Sequence, residues 1–388
     1  MFKDLKIIEL ASVLAGPSVG QFFAELGAEV IKVEHPGLGG DVTRSWKMSG
    51  EQDGDISAYF SSINWGKKSL TLNLGEKEGK EILYDLIRQT DIVITSYKPG
   101  DAEKFQVDYE SLSSLNPKLI YGEITGYGSK INRVGYDAIV QAESGFMYMN
   151  GSSDGPPTKM PVALVDVLAG HHLKEAILVA LIQRLQSGKG KCVSVSLIDA
   201  AISSLINQAA NYFVAGVNPE RKGSIHPNIA PYGEIFKTKD GKELILAAGN
   251  DKQFKGLCQI LRLDTLVDDE KFKNNQVRVL NRDKLEFHLS SKISMFMADD
   301  LISKLIERQV PAGIIVSVAE ALDQQKVEDL LLKSDHLTGL RGFAATGLEI
   351  SSHLLPPPKL GEHNYAILED KLGYRASEID QLRRSGII

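Results

Sequence analysis

Asp166 is the residue of this sequence best placed to do chemistry. It follows the apolar run Val162–Val165 and precedes a helical pattern from about Val167 to Gln186, which Gly188 stops. Such a strand-to-helix junction predicts an N-cap, and Asp ranks among the best N-cap residues. The same position suits catalysis. Backbone N–H groups and the helix dipole keep a carboxylate ionised there, and an ionised carboxylate in a sheltered cleft is a nucleophile. The residues alone leave both readings open. His171 and His172 fall in the first turns of that helix. Adjacent side chains point different ways, so they make no i, i+4 metal pair, and partial burial against a sheet is their expected role. Cys192 and Cys258 form neither a disulfide framework nor a zinc spacing, and no metal site is expected.

A second candidate arrangement opens the chain. Lys6–Leu10 reads as a strand, Ala11–Gly20 as a small-residue loop, Gln21–Leu26 as a helix closed by Gly27, and Ala28–Glu34 as the next strand. A dinucleotide-binding unit has this order and ends in an acid that holds a ribose. Here the loop carries Gly16 and Gly20 around Pro17, not G-x-G-x-x-G, so a nicotinamide-dependent dehydrogenase is a poor reading. Lys67-Lys68 and Arg383-Arg384 are expected on solvated surface, and Trp46 and Trp65 are expected to pack.

The elements that must position these residues alternate in type. Further strands are expected at Ser69–Leu74, Asp91–Thr95, Leu119–Ile124 and Val193–Leu197, with a helix over Glu76–Gln89. Strands alternating with helices predict an α/β fold with a parallel sheet covered on both faces. Gly151–Pro161 reads as a loop and Asp199–Ala215 as one small-residue helix. The Pro-containing polar stretch 218–231 reads as a linker. A hairpin follows, Gly233–Lys237 with Glu243–Ala247, turning at Asp240-Gly241. Helical segments run on to about Gln325, and the tail holds a triple proline and a helix over Asn364–Leu372.

Composition narrows the classes. The chain has 388 residues, 43% hydrophobic and 24% charged, the profile of an ordinary soluble globular protein. Fifty acidic against 44 basic residues give a net charge of −6, which argues against a nucleic-acid partner. No run of ~18 apolar residues exists, so no membrane span is expected. The opening MFKDLKIIEL lacks a long apolar stretch, so no signal peptide is expected and the expected location is cytoplasmic.

Short motifs in a fixed order then carry a resemblance. They include Ala15-Gly16-Pro17, Leu26 to Glu34 (LGAEVIKVE), Gly40-Asp41, Thr43-Arg44, Asn64, Lys67-Lys68-Ser69 and Lys98-Pro99-Gly100. Beyond these come Gly126-Tyr127-Gly128, Gly135-Tyr136-Asp137, Val165-Asp166 with Ala169-Gly170, Gly249-Asn250-Asp251, Val310-Pro311-Ala312-Gly313 and Leu360-Gly361-Glu362-His363. Through them the chain resembles the family III CoA-transferases, the group of formyl-CoA and carnitine CoA-transferases and the related acyl-CoA racemases. The resemblance implies a Rossmann-like large domain with a parallel sheet, residues 1–200 completed by 326–388. It also implies a linker at 201–231, a smaller α+β domain at 232–325, and an interlocked homodimer. It implies transfer of CoA from an acyl-CoA to a carboxylic acid through an aspartyl-CoA thioester on Asp166. CoA and acyl-CoA are then substrates, and no tightly bound cofactor is expected.

By the same resemblance, CoA contacts fall on Val13, His35, Leu72, Asn73, Ser96, Tyr97, Lys98, Lys104, Tyr136 and Asp137. Three departures stand out: His35 where many members carry Arg, Ser96 where Asn is common, and the shortened SKINRV before Gly135. CoA is polyanionic, and Lys98, Lys104, Arg44 and Arg133 are candidates to gather positive charge. Val167 and Leu168 are candidate N–H donors to a developing oxyanion, and the loop Ala248–Asp251 could close the site. Two alternatives remain. A racemase needs an acid/base pair at the α-carbon, and the triplet that would supply its His carries Tyr136, whose ordinary pKa of ~10 suits a base poorly. A non-catalytic acyl-CoA binder would have no use for Asp166. The identity of the acids is not written in the sequence.

Overall fold

Period-two alternation of large aliphatic residues sets the first strand. In β1 (Lys6–Leu10) Ile7 faces one apolar core while Ile8 and Leu10 face another. The computed structural model describes residues 2–51, 54–351 and 353–388. It continues with β2 (Glu29–Glu34), β3 (Lys67–Thr71), β4 (Ile92–Thr95), β5 (Ile120–Thr125) and β6 (Lys191–Ser196). These six form one sheet in the order β3-β2-β1-β4-β5-β6, and every neighbouring pair is parallel. Helices cover both faces, as a parallel sheet requires. On one face lie the first helix, Ala15–Glu25, and the long helix Leu164–Ser187. On the other lie Lys77–Ile87 and the tail helices Asn364–Leu372 and Ala376–Arg384.

The chain works outward from β1 to β3 on one side and from β4 to β6 on the other. The loops that leave β1 and β4 therefore diverge, and a crevice opens at the strand ends between them. Glycine lets the first helix settle close to the sheet and to the long helix. A Cβ on Gly20 would lie 1.9 Å from Glu9 Oε2, and one on Gly170 would lie 2.4 Å from Ser18 Oγ.

Two units divide the described chain. The first holds 1–146, 159–210 and 328–388; the second holds 147–158 and 211–327. The second unit contains an antiparallel sheet of β7 (Tyr232–Lys237), β8 (Glu243–Ala247) and β9 (Ala312–Ile314), with a core that includes Phe236, Leu246, Phe254 and Leu289. Its β7–β8 turn holds Gly241 at φ +80°, the left-handed conformation that an Asp-Gly turn supplies. No helix among the described residues is long and apolar enough to cross a membrane.

Several elements differ from the sequence expectations. The first helix begins at Ala15, six residues early, because Pro17 in a first turn removes only an N–H that has no helical acceptor. Asp199–Ala215 is two helices, Leu197–Ser203 and Ile206–Ala215, and Ile206, the first residue of the second, takes φ +36°. Val162–Val165 is not a strand. The long helix starts at Leu164, since Val165 begins its buried stripe with Ala169, Leu173, Ile177 and Ala180. His171 is exposed on the side away from that stripe, and His172, at its edge, is half-buried.

Candidate active site

The crevice between β1 and β4 holds a cavity of about 190 Å³. Its walls come from the loop after β1 (Ser12, Val13), the start of the first helix (Ala15, Gly16) and the loop after β4 (Ser96 to Pro99). The end of β5 with Gly126 after it (Ile124 to Gly126), the segment Arg133 to Tyr136, Asp166 and Leu197 complete it. Six expected site residues thus meet: Val13, Ser96, Tyr97, Lys98, Tyr136 and Asp166. Arg133 joins them, with its guanidinium 4.5 Å over the Tyr127 ring and 2.6 Å from Glu143.

Asp166 sits in the first turn of the long helix, as its third residue, and is not the N-cap; that position is Ala163. The N–H of Val165 is satisfied from elsewhere in sequence, donating to Asp137 Oδ1 at 2.8 Å. Val167, an expected oxyanion donor, spends its N–H on Ala163 O at 3.1 Å, inside the helix. Leu168 lies one residue deeper in the same ladder. Two residues that line the cavity, Ala15 and Gly16, belong instead to the first helix. It has no side-chain cap, and the N–H groups of Ala15 and Gly16 find no acceptor among the described residues.

Asp166 itself is 7% exposed and receives no hydrogen bond or ion pair among the described residues. Burial pushes its carboxyl up to about 7, and the like charge of Asp137 adds to the rise. Sequence reasoning predicted a carboxylate held ionised by its helix. The structure reverses that, because Asp166 lies inside the first turn and not at the N-cap, where a side chain would accept from the N–H groups two and three residues on, and burial then disfavours its charge. Tyr59, which sequence reasoning passed over, lies within electrostatic reach. Its hydroxyl is pushed up to about 12 by burial and by the charges of Asp166, Asp137 and Asp41. It meets Trp46 edge-on, with centroids 5.2 Å apart.

The remaining expected contacts lie off the cavity lining. His35 accepts the Gly37 N–H through Nδ1 at 3.0 Å. Leu72 is buried in the opposite core, and Asn73 caps a turn by accepting from Gly75 N. Lys104 is exposed with its Nζ 5.5 Å over the Phe105 ring. Asp137 stands behind the wall, held between Val165 N–H and the Gln141 amide.

Beneath the loop after β1 runs a buried charge network. Glu9 and Lys32 are cross-strand neighbours, with Lys32 Nζ 3.0 Å from Glu9 Oε1 and 2.9 Å from Asp41 Oδ2. Lys67 Nζ lies 2.8 Å from Glu9 Oε2. Lys67 is 0% exposed, so the surface expectation for it fails; an inward-facing carboxylate on β1 claims its ammonium. Burial weakens the hold of Lys32 on its proton, but Asp41 and Glu9 outweigh it and hold the ammonium more firmly than usual. Arg44 pairs with Glu34 through two hydrogen bonds of 2.8 and 2.7 Å. That removes Glu34 as a ribose ligand and Arg44 as a cation for CoA.

The comparisons with known proteins give the family and support the fold. The profile of CoA-transferase family III matches residues 2–364. The chain is 39% identical over 380 residues to the succinate–glutarate CoA-transferase of Agrobacterium fabrum, spanning 94% of each. It is 36% identical over 396 residues to the succinyl-CoA:glutarate CoA-transferase of Mus musculus, spanning 100% of this chain and 90% of the relative. A solved CAIB/BAIF family protein from Brucella suis superposes with a TM-score of 0.82 at 39% identity, over 95% of this chain and 98% of that one. Because the profile spans the parallel sheet, the crevice at its switch point and the helix that carries Asp166, the chain belongs to CoA-transferase family III.

Proposed function

We propose that this CoA-transferase works by covalent catalysis on Asp166, with a short dicarboxylate as the acid. The Asp166 carboxylate attacks the thioester carbonyl of the donor acyl-CoA. The C–S bond breaks, leaving a mixed anhydride on Asp166 and a CoA thiolate. The thiolate attacks the Asp166 carbonyl, the donor acid leaves as carboxylate, and an aspartyl-CoA thioester remains. The acceptor carboxylate then attacks that thioester, and the released thiolate takes the acceptor's acyl group, freeing Asp166. Dividing one hard exchange into such steps is what a nucleophile contributes. The open N–H groups of Ala15 and Gly16 suit the developing oxyanion. Lys98 and Arg133 on the walls suit the anionic parts of the substrates.

The observation that carries this reading is a carboxylate buried in a cavity with no partner. Burial of that kind costs stability unless a substrate or a reaction uses the group. Succinate and glutarate in the names of the relatives support the choice of acid. The test is trapping. Enzyme mixed with succinyl-CoA and then hydroxylamine should carry a hydroxamate at Asp166 in peptide maps. Full modification elsewhere, with Asp166 unmodified, refutes the mechanism. Racemisation is disfavoured by Tyr136 on the wall where a basic His would be needed. A 2-methylacyl-CoA in deuterated water should gain little α-deuterium.

An interlocked homodimer belongs to the same proposal. Phe213 and Val214, 80% and 88% exposed, support a covered apolar face on the segment that leaves the first unit. Native mass spectrometry at nanomolar concentration should find the dimer intact, and rapid exchange of labelled subunits would count against interlocking.

A further inference from the structure

The loop after β1 reaches the cavity through an unfavourable backbone. Val13 takes φ +71°, a conformation in which a β-branched residue is a true outlier. Something must hold it there, and the structure offers specific partners. The Val13 N–H donates to Asp41 Oδ1 at 3.3 Å. The other Asp41 oxygen lies 2.9 Å from Lys32 Nζ, and the same ammonium donates to Ala11 O at 2.7 Å. One ammonium therefore grips the loop directly at Ala11 and, through Asp41, at Val13. Between them the Ser12 N–H donates to Ser96 Oγ at 3.1 Å, which ties the loop to the opposite wall. Asp41 is itself fixed by the Thr43 N–H and hydroxyl at 3.0 and 2.8 Å. Neither Lys32 nor Asp41 lines the cavity.

We propose that Lys32 and Asp41 are positioning residues for CoA transfer: they hold Val13 in its left-handed conformation, so that the wall from Ser12 to Gly16 keeps its place opposite Asp166. The inference rests on the reading of this cavity as the reacting site. The wall so held carries Val13 and the open N–H groups of Ala15 and Gly16, and the oxyanion stabilisation proposed for them depends on geometry within a few tenths of an ångström. Buried ion pairs add little net stability compared with apolar residues of the same size. A network of fixed charges under a strained loop is suited to holding a shape.

The test uses a rescue whose sign separates positioning from simple structural support. Asp41→Ala removes the acceptor of the Val13 N–H, and kcat for CoA exchange should fall about 100-fold, the scale of a displacement near 1 Å. Val13→Gly is then added to Asp41→Ala. Glycine takes positive φ without strain, so the loop no longer needs its clamp, and about 10-fold of the lost kcat should return. A merely structural role predicts a double variant slower than either single one, because a wall side chain is lost as well. That outcome overturns the proposal, as does Asp41→Ala keeping kcat within about 3-fold of the unaltered enzyme. If Asp41→Ala does not fold, Asp41→Asn replaces it. Its NH2 must face either Lys32 or the Val13 N–H, so the clamp weakens while the shape stays, and the same rescue is read with the same sign. Hydroxylamine trapping on the unaltered enzyme runs alongside. A failed Asp166 reading leaves no hydroxamate there, whereas a failed clamp leaves the hydroxamate and loses only the rescue.

Discussion

Two groups of buried charge, one beneath the loop after β1 and one on the cavity that this loop lines, are treated in opposite ways. Under the loop after β1, Glu9, Lys32, Asp41 and Lys67 are all buried and all paired, and Glu34 with Arg44 repeats the pattern. Asp166 is buried almost as deeply and has no partner among the described residues. Within the paired group Asp41 and Glu34 are held below the usual carboxylate range despite burial, by Lys32 and Arg44, and Lys32 keeps its proton more firmly than usual; only Lys67 is loosened, to about 8, by burial and the like charge of Lys32. The lone group is pushed the other way, to about 7. Pairing makes a buried charge rigid and inert; leaving one unpaired stores free energy at the atom that must react.

The largest expected effect breaks the lone side of that contrast. Asp166→Asn should reduce CoA transfer at least about 10³-fold, measured by acyl-CoA exchange. Its stability should move in the opposite direction. With a folded pKa near 7 against an ordinary ~3.9, the folded state keeps its proton where the unfolded chain has lost it. Native stability from this group is greatest below about pH 4 and declines as pH rises toward 7, by up to ~4 kcal/mol. Asn carries no such charge. Urea unfolding should therefore find Asp166→Asn more stable than the parent at pH 8 and equal to it at pH 4. A less stable Asn variant at pH 8 would mean that the carboxylate is stabilised after all.

Breaking the paired side should do the reverse. Glu9→Gln leaves Lys32 and Lys67 with one carboxylate fewer in a fully buried site. Orphaning a buried charge costs about 3–5 kcal/mol, and urea midpoints at neutral pH should show a loss on that scale. Unchanged midpoints would show that the network rearranges freely.

Much of this could be read from the sequence, but unevenly. Ile7, Ile8 and Leu10 announce a strand because alternation is local, and the parallel sheet follows from strands alternating with helices. Asp166 is legible as a carboxylate at the start of a helix, yet its exact place is not, since Val165 looks like the end of an apolar run until the helical stripe is traced. Lys67 reads as surface because a Lys-Lys pair usually is, and the acid that claims it lies 58 residues away. A usable signal did exist: Glu9 occupies the same strand face as Ile7, where an inward acid demands cations. Glu34 misleads for a similar reason, as its partner Arg44 lies beyond a 3-10 turn.

A smaller effect sharpens how the cavity side is built. It relies on close backbone approach where the network relies on charge. A Cβ on Gly126 would lie 2.6 Å from Gly135 N and 2.7 Å from its Cα. Gly126→Ala must therefore displace the strand of backbone that carries Tyr136 and Asp137. We expect kcat/KM to fall about 10-fold or more, with a thermal midpoint close to that of the parent. Unchanged kinetics would show that this wall tolerates movement and that only the Val13 side is held to tolerance.

The smallest effect concerns the two causes that set Asp166. Burial is the larger and the charge of Asp137 the lesser. Asp137→Asn removes the charge but keeps an oxygen for the Val165 N–H. If only the ionised Asp166 reacts, kcat/KM rises with pH through the free-enzyme pKa and levels above it. In the parent that midpoint should lie near 7. In Asp137→Asn it should move down, because one like charge has gone, yet remain above the ordinary ~4 of a solvated carboxyl. Acyl-CoA phosphates titrate identically in both proteins, so the difference between the two profiles belongs to the enzyme. A midpoint that does not move would assign the whole rise to burial. A midpoint that drops to ~4 would make Asp137 the dominant cause. It would also mean that the lone carboxylate is kept reactive by its neighbour rather than by the cavity.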